Sequence, residues 1–290
     1  MQDNFIDGRW VKMKKRSAKA ALELIEDGMI VGLGGGETIG YLVEYLSHSH
    51  KDVKVVTPSF ATEQVCIQSG LELLPLWSVN HVDLSFDGCD EVDQDMNALK
   101  SGGAIQTREK LIASMSDRYI LLIDESKYFV TLPFLHDITC EVLKEAYSYV
   151  SRKIKEMGGE LILRPNKSKA GPVISDDGHF IVDVHFDTIE NIKELNNKLN
   201  NIEGLIATSL FVGLVTDLII SNKEETYRSE WKMHLSISGF GMYCTGNRKA
   251  GSSMSDHVRK WDQAVGKTNF GRLCVVEGKP VRITGNRKRA

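Results

Sequence analysis

The sequence predicts an α/β fold: a mainly parallel, Rossmann-like sheet domain with a smaller α+β (ferredoxin-like) inserted domain. Three observations predict it. Short apolar runs alternate with helical periodicity through the first 130 residues. A glycine cluster, Gly34-Gly35-Gly36, stands between the first apolar run and the next helix. From about residue 132 the order changes to helix, strand, strand, helix.

Residues 14–27 carry Ala18, Ala21, Leu22 and Ile25 at helical spacing, and Gly28 is a stop signal. Residues 29–33 read as a strand, with a second helix starting near Thr38. Strand, glycine turn and helix form the opening unit of a doubly wound sheet. Further strands are expected at 53–56, 71–74, 82–86 and 119–123, and helices at 61–69 and 107–116. A helix over 141–157 ends at Gly158-Gly159; strands over 160–164 and 180–186 and a helix over 188–201 follow. Residues 205–211 and 217–220 read as two more buried strands. The expected division is a Rossmann-like catalytic domain of 12–131 plus 205–222 and a small α+β domain of 132–204. A basic tail of 223–290, where apolar periodicity fades, is expected to be poorly ordered.

The net charge of −3 over 290 residues hides an asymmetry. Residues 227–290 carry 13 Lys+Arg against 4 Asp+Glu, leaving 23 against 35 in the body. A solvated tail is the expectation, with no nucleic acid partner. The five cysteines are scattered and odd in number, which implies neither a disulfide framework nor a zinc site and suits reduced thiols in the cytoplasm. The longest apolar run, 205–220, is too short to span a bilayer and contains Asp217, so no membrane partner is expected. Trp77 and Trp231 read as packing residues, and His81, His136, His179 and His185 as structural or surface groups.

Three segments could carry chemistry. The loop Gly34-Gly35-Gly36-Glu37-Thr38 opens a helix, where backbone N–H groups can cradle a phosphate; a tight turn also needs glycine. Asp87-Gly88-Cys89-Asp90-Glu91 follows a strand, at the edge where open α/β sheets bind ligands. A solvated acidic turn or a magnesium site would use the same residues. Lys100-Ser101-Gly102-Gly103 precedes Thr107-Arg108-Glu109-Lys110, in which Thr107 is a fair N-cap and Glu109 suits the helix dipole. Together the three segments would bring a carboxylate base, a lysine and hydroxyl-binding aspartates onto a small polyol.

In combination, Asp87-Gly-Cys-Asp90-Glu, Lys100-Ser-Gly-Gly-Ala and Thr107-Arg-Glu109-Lys resemble ribose-5-phosphate isomerase type A, whose motifs run D-G-A-D-E, K-G-G-G and T-R-E-K. The likeness covers about residues 12–222. It implies a cofactor-free, metal-free aldose–ketose isomerase acting on a sugar phosphate, and a homodimer or homotetramer. It further implies that Glu109 moves a proton between C1 and C2, that Lys100 steadies the enediolate oxygen, and that Asp87 and Asp90 hold sugar hydroxyls. Lys14, Lys127 and Gly34 to Thr38 would face the phosphate, with Ser101, Gly102 and Gly103 beside the substrate. Gly35 and Glu37 stand where the family's loop has hydroxyls, Ser101 replaces its first glycine after the lysine, and Ser209 replaces another glycine. These departures keep two alternatives open: an isomerase of a different short sugar or sugar phosphate, or a non-catalytic sugar-phosphate-binding protein on the same fold.

Overall fold

The structure, a computed structural model, describes residues 2–230 and four later strands within 234–282. In chain order the elements are α1 (Gln2–Leu22), β1 (Ile30–Leu33), α2 (Glu37–His48), β2 (Lys54–Val56), α3 (Phe60–Gln68), β3 (Glu72–Leu73), β4 (Val82–Asp87), β5 (Glu91–Asp93), β6 (Ala98–Leu99) and α4 (Gln106–Met115). There follow β7 (Ser116–Asp124), β8 (Tyr128–Phe129), β9 (Ile138–Val142), α5 (Tyr147–Glu156), β10 (Gly159–Leu163), β11 (Phe180–Phe186), α6 (Ile192–Asn200), β12 (Leu205–Thr208), β13 (Leu210–Phe211), β14 (Asp217–Ser221) and β15 (Thr226–Glu230). The later strands are β16 (His234–Ser238), β17 (Gly241–Thr245), β18 (Leu273–Val276) and β19 (Lys279–Arg282).

The main sheet has the order β15-β14-β7-β4-β1-β2-β3, and its pairs from β14 to β3 are parallel. Val31 and Leu33 of β1, Phe86 of β4 and Ile120 of β7 bury one face against Ala18 and Ala21 of α1 and Ile39, Leu42 and Leu46 of α2. This is why the apolar spacing of those helices is legible: each presents one stripe to one sheet face. A smaller cluster of Val56, Val82 and Ile112 brings α4 against the sheet. The α+β unit is an antiparallel sheet, β10-β11-β9-β12, whose core includes Val150 and Ile154 of α5 and Leu195 and Leu199 of α6.

Several elements differ from expectation. The first helix ends at Leu22 rather than 27, and Ile25 is buried from the turn beyond it. The helix expected from 141 starts at Tyr147, because Glu141 and Val142 belong to β9. All five residues of β9 are buried, and the apolar–polar alternation of Ile138, Thr139, Cys140, Glu141 and Val142 is a strand signal that the expected helix start at 141 cut through. The run 205–211 is two strands in two sheets. Lys100 N–H donates to Ser209 O at 2.9 Å, and the chain then continues as β13 in a small sheet, β13-β6-β5-β8. Trp77 is not a packing residue: it is 88% exposed on a short turn.

Within the stretch expected to be a tail, β15 joins the main sheet, and Arg228 pairs with Asp217 of β14 at 2.9 Å. The strands β16-β17-β18-β19 form a separate four-stranded sheet. Apart from residues 223–225, the rest of that stretch, Trp231 included, lies outside the described residues.

Candidate active site

Strand β4 runs to the carboxyl edge of the sheet and ends on Asp87. Beside it β1 gives way to the glycine loop. A Cβ on Gly34 would lie 2.1 Å from the Asp87 carboxylate, so this position is glycine because the acid sits directly against it. Gly35 N–H and Gly88 N–H donate to Asp87 Oδ1 at 3.4 and 2.8 Å. From β7, Tyr119 donates its hydroxyl to Asp87 Oδ2 at 2.9 Å.

Lys100 leaves β6 and places its ammonium between two acids. Nζ is 3.1 Å from Asp87 Oδ2 and 3.3 Å from Glu109 Oε1, and it also donates to the Gly88 carbonyl. Asp87, Lys100 and Glu109 are 3, 5 and 5% exposed, so little water screens them. Glu109 comes from the first turn of α4, and its Oε2 has no partner among the described residues. Burial, and then the Asp87 charge, push the Glu109 carboxyl up to about 8, against the opposing pull of Lys100. Lys100 is held above the ordinary lysine range: burial works against its charge, but Asp87 and Glu109 outweigh it. Burial pushes the Cys89 thiol up to about 12.

The other expected residues fall into two groups. Asp90 and Lys127 join the cluster's frame: Asp90 Oδ2 accepts from Gly102 N–H at 3.0 Å, and Lys127 donates to the Cys89 carbonyl at 2.7 Å. Gly103, at φ 77°, and Ala104, at φ 59°, make the tight turn that leads into α4. Lys14 and Glu37 instead pair with each other at the start of α2, where Tyr41 also donates to Glu37 at 2.8 Å. Those two bonds hold the Glu37 carboxyl below its ordinary value. Gly36, at φ 91°, caps that helix, and Thr38 follows in its first turn. Ser101 is buried, and its hydroxyl turns to the Asp137 carbonyl and to Ser209 Oγ at 3.1 Å.

Sequence reasoning missed the supports. Thr107 is not the N-cap, since α4 begins after Ile105; its hydroxyl donates to buried Glu141 of β9. Glu141 also accepts from Ser175 at 2.6 Å and His179 at 2.8 Å, and Arg108 pairs with Asp177. Thus the α+β unit grips the first turn of the helix that carries Glu109. Tyr119 was hidden in an aliphatic strand, where a lone tyrosine was the only signal. A cleft of about 910 Å³, lined by Trp77, Lys110, Leu111 and Ile206 among others, uses another face of α4 and reaches none of Asp87, Lys100 or Glu109.

A carboxyl poised near neutrality against a fixed ammonium is equipped to lift a proton from carbon and to hold the negative charge that develops next to it. On a doubly wound sheet, this arrangement is suited to proton transfer at the carboxyl edge of the strands. The sequence profile of ribose 5-phosphate isomerase A (phosphoriboisomerase A) matches residues 54–225. The ribose-5-phosphate isomerase A of Prochlorococcus marinus is 39% identical over 215 residues, 72% of this chain and 91% of the relative. The solved ribose 5-phosphate isomerase A of Methanocaldococcus jannaschii is 33% identical with a TM-score of 0.71, covering 76% of this chain and 98% of its own. A D-ribose-5-phosphate isomerase solved in complex with phospho-erythronic acid is 32% identical with a TM-score of 0.72, over the same shares. The chain belongs to the ribose 5-phosphate isomerase A family.

Proposed function

We propose that this chain interconverts ribose 5-phosphate and ribulose 5-phosphate through an enediolate, with Glu109 as the base. The observation that carries the reading is the Lys100 ammonium, seated 3.3 Å from Glu109 in a buried site. On the open-chain aldose, the ionised Glu109 takes the proton from C2. The electron pair moves to the carbonyl oxygen on C1, and Lys100 meets the charge that forms there. Glu109 then returns the proton to C1, while the hydroxyl proton on O2 moves to O1, completing the ketose. A single carboxylate serves both carbons because they are adjacent.

Asp90 is suited to hold a sugar hydroxyl at the rim. Asp87, enclosed by four donors, is suited to fix Lys100 instead. The glycine loop, Thr38, Lys14 and Lys127 face the phosphate in this reading, supported by the likeness to a relative solved with phospho-erythronic acid. One observation favours a second reading, an isomerase for a less charged sugar: Lys14 is already paired with Glu37. A homodimer or homotetramer rests on the resemblance, and a place in the cytoplasm on the scattered cysteines. Among the described residues, no helix is long and apolar enough to cross a membrane.

Replacing Glu109 by Gln tests the reading. The substitution keeps size and removes the base, so turnover should fall by about 10²-fold or more with substrate binding largely kept. Turnover like that of the unaltered protein would remove Glu109 from the mechanism.

A further inference from the structure

Two buried carboxylates share Lys100, and such a pair titrates as a unit. If the proton the pair holds sat on Asp87, the roles of the two acids would be exchanged. We propose that Tyr119 is the positioning residue that keeps this proton off Asp87, so that Glu109 is the group that gains and loses it. The proposal rests on the reading of Glu109 as the base.

Asp87 accepts from Tyr119 Oη at 2.9 Å, Lys100 Nζ at 3.1 Å, Gly88 N at 2.8 Å and Gly35 N at 3.4 Å. Glu109 has Lys100 at 3.3 Å, and its Oε2 has no partner among the described residues. Donors favour the ionised form, and Lys100 serves both acids. The bias toward an ionised Asp87 therefore comes from two backbone amides and one side chain, Tyr119. That side chain is 1% exposed and stacked on Phe211, with ring centroids 5.9 Å apart. Burial and the Asp87 charge hold the phenol well above its ordinary range, so it stays a donor through neutral and mildly alkaline pH. The other charged or titratable groups around the pair are Cys89, Asp90 and Lys127 from the neighbouring turns, and Lys110, 5.1 Å from the Phe211 ring. Among the described residues, none of these donates to Asp87.

The test is Tyr119→Phe in the full chain, read by carbon-13 NMR titration of the Asp and Glu side-chain carboxyls from pH 5 to 10, alongside kcat and KM. In the unaltered protein, Glu109 should titrate near pH 8. In Tyr119→Phe, the chemical-shift change of the Glu109 carboxyl in that titration should become smaller. Loss of one hydrogen bond to a charged acceptor corresponds to roughly a tenfold change, so kcat should fall about tenfold while KM moves less than about threefold. In an Asp87→Asn background, the same tyrosine change should no longer move the Glu109 titration, which a merely structural tyrosine would not predict. Superimposable titrations of both carboxyls in Tyr119→Phe would overturn the proposal. Should that variant not fold, a Glu109 carboxyl that shows only part of the expected chemical-shift change near pH 8 in the unaltered protein would overturn it equally. Neither readout depends on turnover, so an active Glu109→Gln would sink the base assignment without deciding this question.

Discussion

The molecule contains the same pair, a glutamate and a lysine, in two opposite settings. Glu109 and Lys100 are almost closed to solvent, whereas the Glu37 and Lys14 side chains are 49 and 37% exposed. In the buried pair, desolvation wins over the ammonium and the glutamate is pushed up to about 8. In the exposed pair, the hydrogen bonds from Lys14 and Tyr41 win and the glutamate is pulled down. Proximity to a lysine therefore does not set the direction of the shift; the water removed, together with the Asp87 charge beside Glu109, does. In the proposed mechanism the buried pair supplies the base, whereas the exposed pair leaves the Lys14 charge matched by Glu37.

The comparison predicts effects of very different size. The largest is at Lys100. Lys100→Met should lower kcat by about 10²- to 10³-fold, because charge developing in a dry site loses its counter-ion. It should also lower the melting temperature, because Asp87 and Glu109 would remain buried without a cation. A variant that kept its turnover would break the buried half of the comparison.

Next in size is the pH dependence. The folded Glu109 carboxyl, at about 8, lies above its ordinary value of 4.5. The folded state thus holds a proton that the unfolded chain has already released, and stability falls as pH rises between these values. Glu109→Gln carries no such proton, so its melting temperature should overtake that of the unaltered protein progressively from pH 6 to 9. Parallel curves would contradict the raised value.

The smallest effect belongs to the exposed pair. Glu37→Gln should free Lys14 and lower KM for ribose 5-phosphate by no more than about fivefold, the range of a surface ion pair. The gain should sit in KM and shrink at high salt, with kcat unchanged. A rise in KM would mean that Glu37 helps to hold the substrate.

Much of this site is legible in the sequence because its acids and lysine occur in short ordered motifs. Asp87, Lys100 and Glu109 are expected together and lie together. Their supports are not legible, since Tyr119, Glu141 and Thr107 act through contacts that only the folded chain creates. Ser101 and Ser209 make the point in reverse. Singly, each is a serine where the resembled family has glycine; in the fold their hydroxyls lie 3.1 Å apart, 108 positions apart in sequence. Ser209 Oγ also accepts from Thr139 N–H at 2.9 Å, so the pair ties the lysine turn to β9. The short strands β5, β6 and β8 were missed for a simpler reason: two or three residues carry no periodicity.

The central claim is that a buried carboxylate transfers a proton between two carbons. The most direct measurement is isomerisation of ribose 5-phosphate in deuterium oxide after exhaustive chelation with EDTA, followed by proton NMR of C1 in ribulose 5-phosphate. The reaction should proceed at its ordinary rate, deuterium should accumulate at C1 over repeated turnovers, and Glu109→Gln should incorporate none. Turnover without any label at C1, or a reaction that chelation stops and magnesium restores, would contradict it.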